Sequence, residues 1–245
     1  MKDVKGGEQT EMAPGRYRLH GSPDSANFVV RMVLEELGEP YDYVPVDRHT
    51  SQQKSAEYRR LNPQGLIPVL EAPGQDAPLF ETAGILLYLC DRHAALAPGT
   101  SDSARGRFLK WLFFVSNTLH SDLRIFFKPH RYLPGDACRK QFNEALLKRI
   151  TGGFEHLESE LESNGHPFLL GEQLSCVDIY IAACARWAQI YGTGDNWSPD
   201  ETPCLANLLT LLQKRPAVLK ACELEQISGP AFMKPLPMTL PGITA

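Results

Sequence analysis

The chain has 245 residues, of which 43% are hydrophobic, so it can bury a large core in one or two domains. Its net charge of −4 argues against nucleic acid or an anionic membrane surface as the main partner. The longest apolar runs, such as residues 85–90, are far too short to cross a bilayer. Residues 1–15 are polar, without a signal-like apolar core, so we expect a disordered extension there and a cytoplasmic location for the protein.

Cysteine usage points to a reducing compartment. The six cysteines lie in or near apolar helical patterns and show no Cys-x-x-Cys spacing. We therefore expect free, mostly buried thiols rather than disulfides or structural zinc, and no pattern in the chain predicts a metal site.

The first part of the chain alternates between strand and helix patterns. Tyr17 begins an apolar strand pattern, and Gly38 supplies a left-handed stop for the first helix. A polar stretch over 51–61 predicts a short or irregular helix. The remaining elements are predicted as strand, helix, strand and then strand, strand, helix, over 17–21, 28–37, 41–46, 68–71, 79–80 and 82–93.

Composition shifts at residues 94–102, where proline, glycine and small side chains mark a domain boundary. Beyond it the pattern is helical throughout, with predicted helices over 105–127, 138–162, 175–191, 205–214 and 217–226. We thus predict an α/β domain over 16–94, an all-α domain over 103–228 and an extended, proline-rich tail over 229–245.

Two short segments describe a clamp for a small peptide. Pro68 opens an apolar run and cannot donate to a sheet ladder, which predicts an edge or a tight bend where a cis bond is plausible. Ile67 just before it can offer its backbone N–H and C=O to an extended ligand. Glu81 and Thr82 stand where a helix begins, so its free amides favour a carboxylate while the Glu81 side chain can hold an ammonium.

These segments also carry a family resemblance. Residues 62–70, Asn-Pro-Gln-Gly-Leu-Ile-Pro-Val-Leu, the Phe80-Glu81-Thr82 triplet, residues 168–171 and the Ser175-Cys176-Val177-Asp178 box occur in the order found in cytosolic glutathione transferases. Over roughly 17–226 the chain resembles that family, as a bacterial-type member with serines in its first loop. The resemblance implies a thioredoxin-like βαβ-ββα domain that binds glutathione as cosubstrate, followed by an all-helical domain.

The same resemblance implies roles for individual residues. Ile67 and Pro68 would meet the cysteinyl backbone of glutathione, and Glu81 and Thr82 its γ-glutamyl end. The glycyl carboxylate would meet a basic or amide side chain from the set His49, Gln53 and Lys54. The box from Ser175 to Asp178 is typical of a buried helix start, so we interpret it as structural.

Chemistry in this family requires glutathione as a thiolate, since the thiolate is the nucleophile. The group that stabilises it is expected between the first strand and the first helix, where Ser25 is the first candidate, Ser22 the second and Asn27 a possible amide donor. Tyr17 lies too early for this role, and the loop holds no cysteine. Asp24 would oppose thiolate formation unless its carboxylate points away.

The helix predicted over 105–127 would form one wall of a pocket for the second substrate. Phe113, Asn117, His120 and Arg124 fall on one stripe, which would face the cleft between domains in the family geometry. Trp187, Tyr191 and Trp197 either line that pocket or pack in the core.

We therefore predict a glutathione transferase in which the thiolate attacks a small hydrophobic electrophile in an apolar pocket, with a homodimer as the assembly that the resemblance implies. Two alternatives stay open. One is a glutathione-dependent isomerase, lyase or ether-cleaving enzyme, and the other is a non-catalytic binding protein of the same fold.

Overall fold

A computed structural model describes residues 15–135, 137–191 and 197–238. The predicted extension over 1–15 lies outside these ranges apart from Gly15. The first half of the protein contains β1 Tyr17–Gly21, α1 Asn27–Leu37, β2 Tyr41–Pro45, a 3₁₀ turn Gln52–Lys54, α2 Tyr58–Leu61, β3 Val69–Glu71, β4 Leu79–Phe80 and α3 Thr82–His93.

The strands form one mixed sheet of four strands in the order β2-β1-β3-β4. β1 runs parallel to β2, with Leu19 opposite Tyr43, and antiparallel to β3, with Leu19 opposite Leu70. β3 also pairs antiparallel with β4. Pro68 therefore precedes an internal strand, and the bend at its start rather than a sheet edge is what accommodates the missing N–H. The predicted thioredoxin-like arrangement is confirmed.

The second half contains α4 Arg105–Phe114, a π-helical turn Val115–His120, α5 Ser121–Phe127, a 3₁₀ turn Pro129–Arg131, α6 Arg139–Asn164, α7 Cys176–Ile190, a 3₁₀ turn Pro199–Glu201, α8 Pro203–Leu212 and α9 Pro216–Glu225. The single helix predicted over 105–127 is interrupted by the π-helical turn, which periodicity does not reveal. The helix predicted to start at 205 begins at Pro203, because proline suits the first turn, where no helical N–H bond is lost.

Helix α7 is the centre of the second half, and every residue from Cys176 to Ala188 is buried. The predicted capping box at its start is present. The Asp178 carboxylate accepts from the backbone N–H groups of Ser175 and Leu169, both at 2.8 Å, and from the Ser175 hydroxyl at 2.7 Å. These bonds satisfy buried donors, so the structural role predicted for the box is confirmed.

The two halves share one continuous apolar core, which joins α1 to α7 and α9. Residues 227–238 form neither helix nor strand, yet Phe232 is fully buried beside Phe28. All six cysteines are free, and four of them are buried. Within the described ranges no helix combines the length and the apolar character needed to cross a membrane.

Candidate functional site

A cavity of about 330 Å³ lies between the two halves. The first half contributes Ala26, Asn62, Leu66, Ile67, Pro68, Glu81 and Thr82, and the second half Ser116, Asn117, His120, Ser121, Arg124 and Tyr180. Both parts of the predicted clamp therefore meet in one place. Every residue on the wall from the second half carries a polar side chain, which differs from the apolar pocket expected there.

Ile67 lines this cavity. Its peptide bond to Pro68 is cis. The preceding carbonyl, that of Leu66, is held by the Asn62 side-chain amide at 2.9 Å and the Tyr58 hydroxyl at 3.1 Å. No hydrogen bond from the described part of the chain reaches the N–H or C=O of Ile67 itself. Both groups are thus available to an extended ligand, as strand addition requires.

The start of α3 is likewise open. Among the residues that the structure describes, no side chain caps this helix, so its first amides can bind a carboxylate. Glu81 stands before it with φ 71° and ψ 113°, a conformation that costs a non-glycine residue about 1–3 kcal/mol and that concentrates at ligand sites. Its carboxylate accepts a 2.8 Å hydrogen bond from Gln64 Nε2, and Thr82 beside it is buried.

The loop between β1 and α1 contributes only Ala26 to the cavity wall. The Ser25 hydroxyl lies 2.6 Å from the carbonyl oxygen of Ser22 and 2.5 Å from Oδ1 of Asn27, and its single proton serves one of them at a time. Ser22 is buried, and its N–H donates to Asn27 Oδ1. The structure thus brings the three candidate thiol partners together in one cluster beside the cavity rather than on its wall.

Asp24 points away from the cavity into the domain interface. Its carboxylate accepts from Arg186 Nε at 3.0 Å and Nη2 at 2.9 Å, from Trp187 Nε1 at 3.1 Å and from the Tyr191 hydroxyl at 2.7 Å. The Arg186 guanidinium compensates the charge of this carboxylate, and Asp24 does not line the cavity, so it does not oppose a thiolate there. Trp187 and Tyr191 anchor this loop, and Trp197 stacks on Phe154 at 3.8 Å in the core.

Glu225 is a second buried anchor that sequence reasoning missed. It accepts from the N–H of Asp24 at 2.9 Å and from Asn27 Nδ2 at 2.8 Å, and Arg31 Nε lies 2.8 Å from its carboxylate. Burial raises the pKa of Glu225 to about 7, although the Arg31 charge acts against this shift. Asn27 thus donates to Glu225 through Nδ2, while its Oδ1 lies within hydrogen-bond distance of the Ser22 N–H and the Ser25 hydroxyl. In the sequence, the only signal for such buried anchors is the presence of charged residues within apolar helices, and Arg186 is one of them.

None of the three residues predicted for the glycyl carboxylate lines the cavity. Lys54 Nζ donates to the carbonyl of Gln64 at 3.2 Å, which places it beside the loop that ends at Ile67. Gln53 is half-buried next to Gly65, and its Oε1 has no hydrogen-bond partner in the described part of the chain. His49 is exposed in a turn that Asp47 stabilises. The choice among the three stays a prediction.

The π-helical turn shapes the opposite wall. It brings Asn117 and His120 to the cavity, while Phe113 lies off the cavity wall with its side chain 47% exposed. The predicted stripe is thus divided, because the extra residue in a π turn rotates the positions before it relative to those after it. π turns inside α-helices are frequent at functional sites.

His120 is held at the base of this wall. Its Nδ1 lies 2.6 Å from the Tyr180 hydroxyl, and its ring packs against Trp187 with centroids 5.1 Å apart. The hydroxyls of Thr82 and Ser116 also interact with Tyr180, which connects the start of α3 to the π turn. Burial, with a smaller contribution from the Arg124 charge, lowers the pKa of His120 to about 4.

We expect His120 to stay neutral throughout the physiological range. Its imidazole proton shifts, followed by NMR, should not titrate between pH 5.5 and 8 if its pKa is about 4. The unfolded chain takes up a proton near pH 6.5, so this group lowers the stability of the fold as the pH falls from about 6.5 towards 4. A His120 titration midpoint near 6.5 would contradict this picture.

At Gly21, where β1 ends and the loop to α1 begins, there is no room for a side chain. A Cβ there would lie 2.3 Å from Cγ of the buried Asn27. We expect Gly21→Ala to lower the free energy of unfolding by about 1–3 kcal/mol in urea denaturation, because Asn27 must be displaced. Gly106→Ala is the matched control: it meets open space within α4, so the same change should stabilise the protein by up to about 1 kcal/mol. Equal effects of the two substitutions would contradict the prediction.

Comparison with known proteins identifies the family. The model of the glutathione S-transferase N-terminal domain matches residues 28–92, and that of the glutathione S-transferase C-terminal domain matches residues 140–218. Among curated relatives, glutathione S-transferase 3 of Zea mays is 31% identical over 174 residues, which are 68% of this chain and 75% of the maize protein. The glutathione S-transferase-like protein gedE of Aspergillus terreus is 27% identical over 202 residues, covering 78% of this chain and 87% of that relative.

Solved structures give the same result. A glutathione transferase from Burkholderia graminis, crystallised with two glutathione molecules per subunit, superposes with a TM-score of 0.74. It is 26% identical, and the match covers 85% of this chain and 88% of that one. Family models, curated relatives and fold all agree, and the chain belongs to the glutathione S-transferase family.

Proposed function

We propose that this protein is a glutathione transferase that binds glutathione in the cavity between its halves and directs the thiolate at an electrophile. The observation that carries the proposal is the convergence of two open backbone sites on one cavity: the unpaired N–H and C=O of Ile67, and the uncapped start of α3 at Thr82. Solved family members hold glutathione. A tripeptide with a free carboxylate, an ammonium and peptide groups matches these sites.

Each part of glutathione has a chemical partner in this arrangement. The cysteinyl backbone pairs with Ile67 as an added strand, and the γ-glutamyl carboxylate accepts from the amides and hydroxyl at Thr82. The ammonium meets the Glu81 carboxylate. The glycyl carboxylate then extends towards Lys54, which lies beside the same loop. In this pose the sulfur comes near Ala26, next to Ser25.

Activation of the sulfur requires that the thiolate be favoured over the thiol. A thiol pKa near 8.5 must fall by about two units, which corresponds to about 2.7 kcal/mol. A charge-assisted hydrogen bond contributes about 1.5–3 kcal/mol, and the positive end of α1 adds to it. We assign the bond to the Ser25 hydroxyl, which has to turn from Ser22 and Asn27 to the sulfur.

Two measurements test this proposal: the rate of conjugation and the pKa of the bound glutathione thiol. We expect conjugation of a generic aryl halide, with kcat/KM reduced about tenfold or more in Ser25→Ala because one charge-assisted bond is lost. Ser163→Ala, on the exposed face of α6, is the matched control and should leave the rate unchanged. Unchanged rates in both Ser25→Ala and Ser22→Ala would remove the serine mechanism.

One observation favours a second candidate, a non-catalytic glutathione-binding protein. No hydroxyl of the loop lines the cavity, and Ser25 already has acceptors within the loop. The thiolate absorbance of bound glutathione separates the candidates. A pKa well below that of free glutathione supports the enzyme, whereas tight binding with an unshifted pKa supports the binding protein.

The proposals for the oligomeric state and the cellular location rest on membership of the family. We propose a homodimer, and sedimentation velocity should then give about twice the mass of 27.3 kDa. Large apolar side chains such as Phe80 and Phe113 are exposed in the isolated chain, which a partner subunit would help to cover. The free thiols agree with a cytoplasmic location, which cell fractionation tests.

A further inference from the structure

An uncompensated group of cations stands at one side of the cavity. Arg124 reaches the cavity wall from α5. Lys54, from the other half, lies near enough to Arg124 and Arg131 for their charges to act on it, and Arg131 in turn acts on Lys128 together with Arg48. We call Arg124, Arg131, Lys128, Arg48 and Lys54 the cationic rim.

Among the described residues, no carboxylate forms an ion pair with this rim. Across residues 15–135, 137–191 and 197–238, none of its five members forms an ion pair within 4 Å, and Arg124 only donates to the Tyr132 hydroxyl at 3.2 Å. Asp122 on α5 pairs with Arg149, Asp47 accepts from its own turn at His49 and Thr50, and Glu81, which lines the same cavity as Arg124, accepts from Gln64. The cationic rim therefore has a local excess of positive charge.

This excess is unusual for the molecule as a whole. The chain carries a net charge of −4, and several of its other arginines, such as Arg105 and Arg215, have carboxylate partners, whereas Arg59 adds a further positive charge near Lys54. Burial and the neighbouring arginines lower the pKa of both Lys54 and Lys128, as expected where cations face each other without anions between them. Such a surface attracts anionic ligands and discriminates against neutral ones.

Glutathione accounts for only part of the rim. Its glycyl carboxylate provides one anion, at the Lys54 end, while its other carboxylate belongs at Thr82. Arg124 remains on the polar wall with Asn117, Ser121 and His120, and Arg131 lies close enough for its charge to act on Lys54. An apolar electrophile carries no charged group that these side chains could bind.

We propose that the second substrate is an anionic electrophile, an organic halide or comparable acceptor whose carboxylate or sulfonate is bound by Arg124 with support from Arg131. This inference rests on the proposed function. In the step that follows, the sulfur of glutathione gives an electron pair to the electrophilic carbon, a C–S bond forms, and the halide leaves with the electron pair of the carbon–halogen bond.

The experiment compares 4-chloro-3-nitrobenzoate with its neutral amide, each kcat/KM being divided by the uncatalysed rate with glutathione. We expect a preference of about tenfold for the carboxylate, since one charge-assisted contact of about 1.4 kcal/mol gives that factor. Arg124→Gln should reduce this preference to below about threefold. Arg149→Gln, a matched arginine on α6 whose partner is Asp122, should retain it.

A binding arm separates this inference from the proposed function. Calorimetry with the unreactive 3-nitrobenzoate and 3-nitrobenzamide, on the protein with and without glutathione, does not depend on turnover. Preferential binding of the carboxylate that Arg124→Gln abolishes supports the anion site even if no conjugation occurs, in which case the transferase proposal fails alone. Equal binding and equal normalised rates for both compounds, or a preference that survives in Arg124→Gln and Arg131→Gln, would overturn the inference.

Discussion

Replacing Arg186 by methionine should lower the free energy of unfolding by about 3–5 kcal/mol, because it leaves the Asp24 carboxylate charged and buried without its partner. Both side chains of this pair are almost completely buried, with 0% and 1% exposure. The same guanidinium donates to the backbone carbonyls of Ala231 and Leu236, each at 3.1 Å. One residue therefore connects α7 to the loop beside the cavity and to the tail.

Urea denaturation measures this loss, and the chain offers a matched control. Arg215 forms a similar two-point contact with Glu36, but its side chain is 37% exposed, so Arg215→Met should cost at most about 1 kcal/mol. A cycle with Asp24→Asn isolates the pair itself, and the double variant should be less unstable than the sum of the singles. Equal losses for Arg186→Met and Arg215→Met would contradict the prediction.

Asp178→Ala should have an effect of the same size, about 3–5 kcal/mol. The substitution removes the acceptor for two buried backbone N–H groups and one hydroxyl, those of Ser175 and Leu169. Hydrogen bonds to a charged group contribute about 1.5–3 kcal/mol each, and unsatisfied buried donors add their own cost. The start of α7 and the turn at Leu169 should loosen together.

An exposed cap in the same protein provides the comparison for Asp178. Ser198 Oγ accepts from the N–H of Asp200 at 3.3 Å at the start of a 3₁₀ turn. Ser198→Ala should cost only about 0.5–1 kcal/mol in the same denaturation assay, because water replaces the lost bond. Hydrogen exchange should show faster exchange at Leu169 in Asp178→Ala only. A loss below 1 kcal/mol for Asp178→Ala would show that the box does not hold the helix start.

The sequence predicts best what local patterns determine. The strand and helix order, the stop at Gly38 and the capping box at Ser175 depend on residues close together in the chain, and the structure has all three. The bend at Ile67 and the open helix start at Thr82 are also local. The two segments by themselves predict one clamp for a small peptide, and the family resemblance adds which part of glutathione each would meet.

The parts that escaped prediction depend on distant contacts or on side-chain direction. Asp24 and Arg186 are 162 residues apart, so no local pattern shows that this carboxylate is turned away from the cavity. The π turn leaves the apolar periodicity of its helix almost intact, yet it separates Phe113 from Asn117. The polar wall and the cationic rim likewise arise only when α5 faces the first half.

The most direct test of glutathione binding between Ile67 and α3 is a crystal structure of the protein grown with millimolar glutathione. We predict one tripeptide whose cysteinyl backbone pairs with the N–H and C=O of Ile67 and whose γ-glutamyl carboxylate sits on the first amides of α3 at Thr82. An empty cavity, or glutathione bound elsewhere with both backbone sites unoccupied, would contradict the proposed function.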